Sequence, residues 1–240
     1  VSQLKKAGYN VRRIAGKDRY ETAEKIGDEV RLTSNNKNEV ILVDGTNFPD
    51  VITLSTLANQ KRVPILLTQP KALNSVTNRL LGAWRIDKVT IGGEKTSVSK
   101  NVEDTVKAKT KAVDRIGGAT RYETAYKVAD QVRRLTNNEK DLILVDGTKF
   151  PDGITISSLA AKFKAPILLT KPDKLHPVTE AAVSQWGIEN LLIGGGYNSV
   201  SKNIEDTIRI KNKERVAGSD RYNTAVEISK RDTDSRQLAR

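Results

Sequence analysis

The feature that most narrows the folds open to this chain is that it repeats itself. The stretch "RIAGKDRYETA" at 13–23 returns as "RIGGATRYETA" at 115–125 and as "RVAGSDRYNTA" at 215–225. "VDGTNFPD" at 43–50 returns as "VDGTKFPD" at 145–152, and "PILLT" at 64–68 returns at 166–170. "IGGEKTSVSKNVEDT" at 91–105 returns as "IGGGYNSVSKNIEDT" at 193–207. These pairs are offset by 102 residues, and the third copy of the opening motif follows the second by 100. Solenoid repeats run to ~20–50 residues, so a period of this length marks tandem domains. The chain divides into a tail of a preceding element at 1–10, a repeat at 11–112, a repeat at 113–214, and the head of a third at 215–240. That third copy has no "DGT", "PILLT" or "IGG" segment.

Within the first repeat, "VILVD" (40–44), "PILLT" (64–68) and "KVTIGG" (88–93) are nearly continuous apolar runs, as buried parallel strands require. Between them 19–32, 50–60 and 73–85 have helical spacing, with Tyr20, Ala23, Ile26, Gly27 and Val30 on one stripe. Strand alternating with helix gives a parallel sheet covered by helices. The expected fold class is α/β, as tandem three-layer domains with mostly parallel sheets.

Composition limits the chemistry. With no cysteine and a single histidine, His176, thiolate-ligated metals, disulfides and histidine-rich metal sites are excluded. No cofactor is expected. No apolar run approaches the ~20 residues of a membrane span. Residue 1 is Val and there is no Met, which suggests a segment of a longer, exported protein whose signal has been removed. Lys and Arg number 41 against 29 Asp and Glu, a net charge of +12 that favours a polyanionic partner.

The opening motif is largely a helix start: Asp18 with Glu21 and Thr120 with Glu123 have the spacing of a capping box, and Asp220 with Asn223 is a weaker version. Capping does not explain Arg19, Arg121 and Arg221, which stand at the positive end of a helix dipole. An ion pair with a carboxylate such as Asp44 or Asp50 is the plainer reading, and direct ligand contact the other. Tyr20, Tyr122 and Tyr222 read as core or interface aromatics. "VDGTxFPD" lies at a strand's C-terminal end, the edge where α/β sheets bind ligands. Asp50 and Asp152 suit a first helical turn, and Asp44 and Asp146 stand six residues earlier. No histidine or nucleophile accompanies these carboxylates, so an acid–base role is disfavoured. Gly92–Gly93 and Gly194–Gly195 offer a phosphate cradle in principle but lack the dinucleotide and Walker patterns, and Ser99 and Ser201 read as N-caps. Lys107, Lys109 and Lys111, then Arg209, Lys211 and Lys213, alternate along what reads as an extended segment: a polyanion stripe, or an edge kept soluble by lysine. His176 reads as a cap.

With these motifs in order at this period, the chain resembles the bacterial cell-wall-binding repeat 2 family over nearly its whole length. The resemblance implies Rossmann-like domains, usually three in a pseudo-threefold assembly. Such modules hold an attached effector noncovalently on a Gram-positive wall through an anionic polysaccharide or teichoic-type polymer. The family's "ILL" signature falls on Ile65, Leu66, Leu67 and Ile167, Leu168, Leu169, expected as buried strand residues. The implied protein is a secreted, non-catalytic, S-layer-associated anchor. Self-association to complete a third body is a further expectation. Rival readings are an α/β enzyme using phosphate-bearing substrates and a nucleic-acid binder; aromatics at 5% and not interleaved with basic residues count against the latter. If each head packs on the body before it, residues 215–230 cap the second repeat and Arg221 pairs with Asp146 or Asp152.

Overall fold

The structure is a computed structural model describing residues 1–232 and Leu238. After a short exposed helix α1 (Ser2–Lys6) come α2 (Arg19–Thr33), β1 (Glu39–Asp44), α3 (Pro49–Lys61), β2 (Ile65–Thr68), α4 (Ser75–Ala83), β3 (Lys88–Gly92), α5 (Lys100–Lys107) and β4 (Ala112–Ile116). The second repeat follows with α6 (Arg121–Thr136), β5 (Asp141–Asp146), α7 (Pro151–Phe163), β6 (Ile167–Thr170), α8 (Pro177–Gln185), β7 (Asn190–Gly194), α9 (Lys202–Thr207) and β8 (Asn212–Val216), then α10 (Arg221–Asp232). The sheets have strand orders β2-β1-β3-β4 and β6-β5-β7-β8, every ladder parallel. Helices cover both, giving two Rossmann-like three-layer units. The central strands β1 and β5 have their apolar residues fully buried, which is why their sequences show no alternation.

Sheet and sequence repeat are out of phase. β4, which carries the start of the second head motif, pairs with β3, and β8, which carries the third, pairs with β7. The following helices bridge the units. Val128 and Val132 of α6 pack with Ile41, Val43, Leu54 and Leu57 of the first unit. Tyr122 and Ala125 of the same helix pack with Ile143, Ile167 and Leu169 of the second, joined by Ile52 from α3. Thus α3 sits between α6 and α7, against β6. The fit is close: a Cβ on Gly153 of α7 would lie 2.9 Å from Ile52 Cδ1. α10 packs on α7 as α6 packs on α3, so the third head caps the second unit.

The first unit shows the same surface without its filler. Ala23, Ile26 and Val30 of α2, Val51 of α3, and Ile65 and Leu67 of β2 line an open groove of about 610 Å³. Ile26 is 49% exposed where its counterpart Val128 is 1%. The "ILL" expectation is corrected accordingly. Ile167, Leu168 and Leu169 are all buried, but only Leu66 is buried in the first copy, because no helix stands over Ile65 and Leu67 as α3 stands over β6. The stripe expected on α2 is likewise partly open, with Gly27 buried beside Trp84.

A charge at Val128 has to enter a dry junction, while one at Ile26 faces solvent. Val128→Asp is expected to destabilise the protein by about 3 kcal/mol or more and Ile26→Asp by less than about 1 kcal/mol, measured by urea unfolding. Limited proteolysis is expected to leave β8 and α10 attached; rapid trimming to about residue 214 would contradict their packing.

Candidate functional site

The motifs meet at the C-terminal edge of each sheet. Asp44, at the end of β1, is buried and accepts hydrogen bonds from the Thr46 backbone N–H and hydroxyl, both at 2.7 Å. Asp146 repeats this with Thr148. Asp152, in the first turn of α7, accepts from Ser199 Oγ at 2.7 Å, tying that helix to the loop after β7. Asp50 occupies the same place with Ser97, where burial pushes its carboxyl above the usual range against the pull of that hydrogen bond and of the Arg121 charge. Gly93 and Gly195 are required twice over. Each has positive φ, +87° and +95°, and a Cβ would meet the Asp50 or Asp152 carboxylate at 2.4 or 2.3 Å. Gly92 and Gly194 give way to Leu54 and Ile156 side chains. These groups hold loops to helices. Among the described residues no group of three or more His, Asp or Glu is placed to hold a metal ion.

The head arginines do not pair with Asp44 or Asp50. Arg19 donates to the Gly45 carbonyl, and Arg121 Nη1 donates to that of Gly147 at 2.6 Å. Arg121 also bridges the repeats, its guanidinium 5.9 Å from the Phe48 ring centroid, while Phe48 meets Phe150 edge-on at 5.4 Å. The pairing expected for Arg221 with Asp146 or Asp152 is absent: Arg221 is exposed with no partner among the described residues. The carbonyl its two counterparts use belongs to a "DGT" segment, and these 240 residues contain no third one. Tyr222 is 77% exposed for the same reason, whereas Tyr122 is buried and stacked on His176 at 4.4 Å. His176 accepts from the Val178 N–H as the N-cap of α8.

The lysine stripe is also redrawn. Lys107 lies in the last turn of α5 and pairs with Glu103, Lys109 is exposed in the following turn, and Lys111 pairs with Asp87. The first set therefore follows a helix end and a turn, because Val102 and Val106 bury a helical face. In the second set, Arg209 and Lys211 flank buried Ile210 on an extended segment, and Lys213 donates to the carbonyls of Glu205 and Ile208.

Two parts of the head motif escaped the sequence reading. Thr22, Thr124 and Thr224 accept hydrogen bonds from the Gly16, Gly118 and Gly218 N–H groups, closing the turn over the helix start. Its first residue is a clasp. Arg115 on β4 donates to Glu103 Oε2 at 3.1 and 2.8 Å, to the Gly93 carbonyl at 2.7 Å and to the Val98 carbonyl at 2.9 Å. Arg215 makes the same bonds to Glu205, Gly195 and Val200. The signal was present, an arginine opening every copy of the motif at 13, 115 and 215.

Hydrogen bonds from Lys107 and Arg115 hold the Glu103 carboxyl down at about 2, from an ordinary 4.5. The unfolded chain binds the proton more tightly, so this contribution is complete above about pH 4.5 and is lost as pH falls towards about 2. Glu103→Gln is expected to cost about 1–2 kcal/mol at pH 7 and to flatten the acid limb of the stability–pH curve; equal slopes would contradict the clasp.

Residues 13–103 and 115–205 each match Cell wall binding domain 2 (CWB2). The chain is 35% identical over 223 residues to the amidase enhancer of Bacillus subtilis, covering 91% of this chain and 29% of that protein. It is 27% identical over 209 residues to the B. subtilis N-acetylmuramoyl-L-alanine amidase LytC, covering 87% of this chain and 40% of the relative. It superposes on Cwp6 from Clostridium difficile with a TM-score of 0.82 at 29% identity, covering 90% of this chain and 35% of that one. The chain thus spans well under half the length of these relatives. Two matched repeats, laid on two sheets of identical strand order with matching arginine clasps, place the chain in the cell wall binding domain 2 family, a family of wall-binding modules.

Proposed function

We propose that the chain anchors a longer, exported protein at the bacterial surface by binding an anionic wall polymer noncovalently. The reading is carried by uncommitted charge on a wall-binding fold. Lys109, Arg209, Lys211 and Arg221 are exposed, with no carboxylate within salt-bridge distance among the described residues, in a chain of net charge +12, while Arg19 is exposed but donates to the Gly45 carbonyl. Lys107 and Lys111 are paired, Lys213 is spent on backbone carbonyls and Arg121 on the repeat junction, so they contribute less. Each free cation contributes little alone, and repetition along a polymer raises the overall affinity. The Bacillus amidase, of which this chain covers 40%, suggests the arrangement: an effector elsewhere in the polypeptide, held at its substrate by repeats like these.

We assign the open groove of the first unit to a further repeat body, not to a second copy of this chain. The helix such a copy would offer, α7, already has the relevant face covered by its own α10.

Co-sedimentation with Gram-positive cell walls tests the proposal. Binding is expected to walls that retain their anionic polymers, to disappear when these are stripped by acid, and to survive excess DNA. Salt alone does not discriminate, since polymer and DNA are both polyelectrolytes. Binding unchanged by stripping would overturn the anionic-polymer assignment.

A further inference from the structure

The loop between β7 and α9 carries a side chain that the fold does not need. Tyr197 is 54% exposed, in a chain with only 5% aromatic residues. One side of its ring rests on the Arg215 guanidinium, 4.4 Å from the ring centroid. That guanidinium is immobilised by the clasp to Glu205, Gly195 and Val200. The loop is equally fixed: the Gly195 N–H donates to the Val216 carbonyl at 2.9 Å, the Ser199 N–H to the Gly196 carbonyl at 2.9 Å, and Ser199 Oγ to Asp152. The ring is therefore a flat apolar surface held at a set height above the sheet edge.

The first repeat provides the internal control. Arg115 forms the same clasp with the same geometry, yet the position matching Tyr197 is Lys95. The clasp closes without an aromatic cover, so the ring is surplus to folding. An immobilised ring loses little freedom when a second flat body lies on it, and the axial C–H face of a pyranose is such a body. An aromatic with an apolar face and a polar tip suits a ligand that is part apolar and part hydroxylated.

We propose that Tyr197 is a stacking platform for a sugar ring of the wall polymer, present on the second repeat and not on the first. The proposal rests on the wall-binding reading. Its test is co-sedimentation of the full chain with Bacillus subtilis cell walls that retain their polymers, comparing wild type, Tyr197→Ala and Tyr197→Phe. Tyr197→Ala is expected to weaken binding about five- to tenfold, and Tyr197→Phe less than about twofold, with unchanged melting temperatures. A tyrosine difference spectrum on adding solubilised wall polysaccharide is expected for wild type and is lost in Tyr197→Phe. Undiminished binding by Tyr197→Ala, with wild type bound, would overturn the platform and leave anchoring intact. Failure of wild type to bind would overturn both. Binding that depends on Tyr197 but is displaced by single-stranded DNA would overturn the sugar assignment, since bases stack on aromatics as well.

Discussion

The pairing of β4 with β3, and of β8 with β7, is the contact on which the rest of the architecture depends. It sends the chain out of each completed sheet along that sheet's own edge, so the next helix starts beside the unit just built. Arg115 and Arg215 reinforce the pairing where the ladder ends, joining edge strand, preceding loop and preceding helix through one guanidinium. A half-buried arginine that makes several charge-assisted bonds is costly to replace with lysine, which has no planar fork. The carboxylates at the sheet edge do complementary work, holding the glycine loops at the heights that Gly93 and Gly195 permit.

From that pairing follows the way the units share a core. α6 contributes Val128 and Val132 to one unit and Tyr122 and Ala125 to the other, so neither has a complete apolar interior without it. In the other direction, α3 lends Ile52 to the second unit. The exchange is unequal at the first unit, where Ile26, Ile65 and Leu67 line an unfilled groove. Ile65 and Leu67 are thus less buried than Ile167 and Leu169, which are identical in type one repeat later.

Much of this was legible in the sequence. The strands of each sheet's interior announce themselves because burial on both faces leaves unbroken runs such as "VILVD" and "DLILVD". The helix caps were readable because Asp18, Thr120 and Asp220 act within three residues of themselves. Contacts across longer separations were not. Nothing local tells Arg19 that its acceptor is the Gly45 carbonyl rather than the Asp44 carboxylate beside it. Lys107, Lys109 and Lys111 looked like a strand because their alternation has period two; the buried Val102 and Val106, four apart, were the stronger signal for a helix there. The incomplete burial of Ile65 was equally out of reach, because the sequence of the first repeat contains the groove but not its filler.

The offset between sequence period and sheet also bears on how such a chain is copied and recombined. A duplication cut at the sequence period, near residues 112 and 214, divides β4 and β8 from the strands they complete. Each excised piece then carries an unpaired edge open to chance pairing. A cut just after Ile116 or Val216 instead releases a closed four-stranded sheet and leaves the next helix free to begin another. The unit that can be moved without splitting a sheet is therefore the sheet with its clasp, although its core still needs the helix that follows, and the motif most visible in the sequence straddles the seam between two such units.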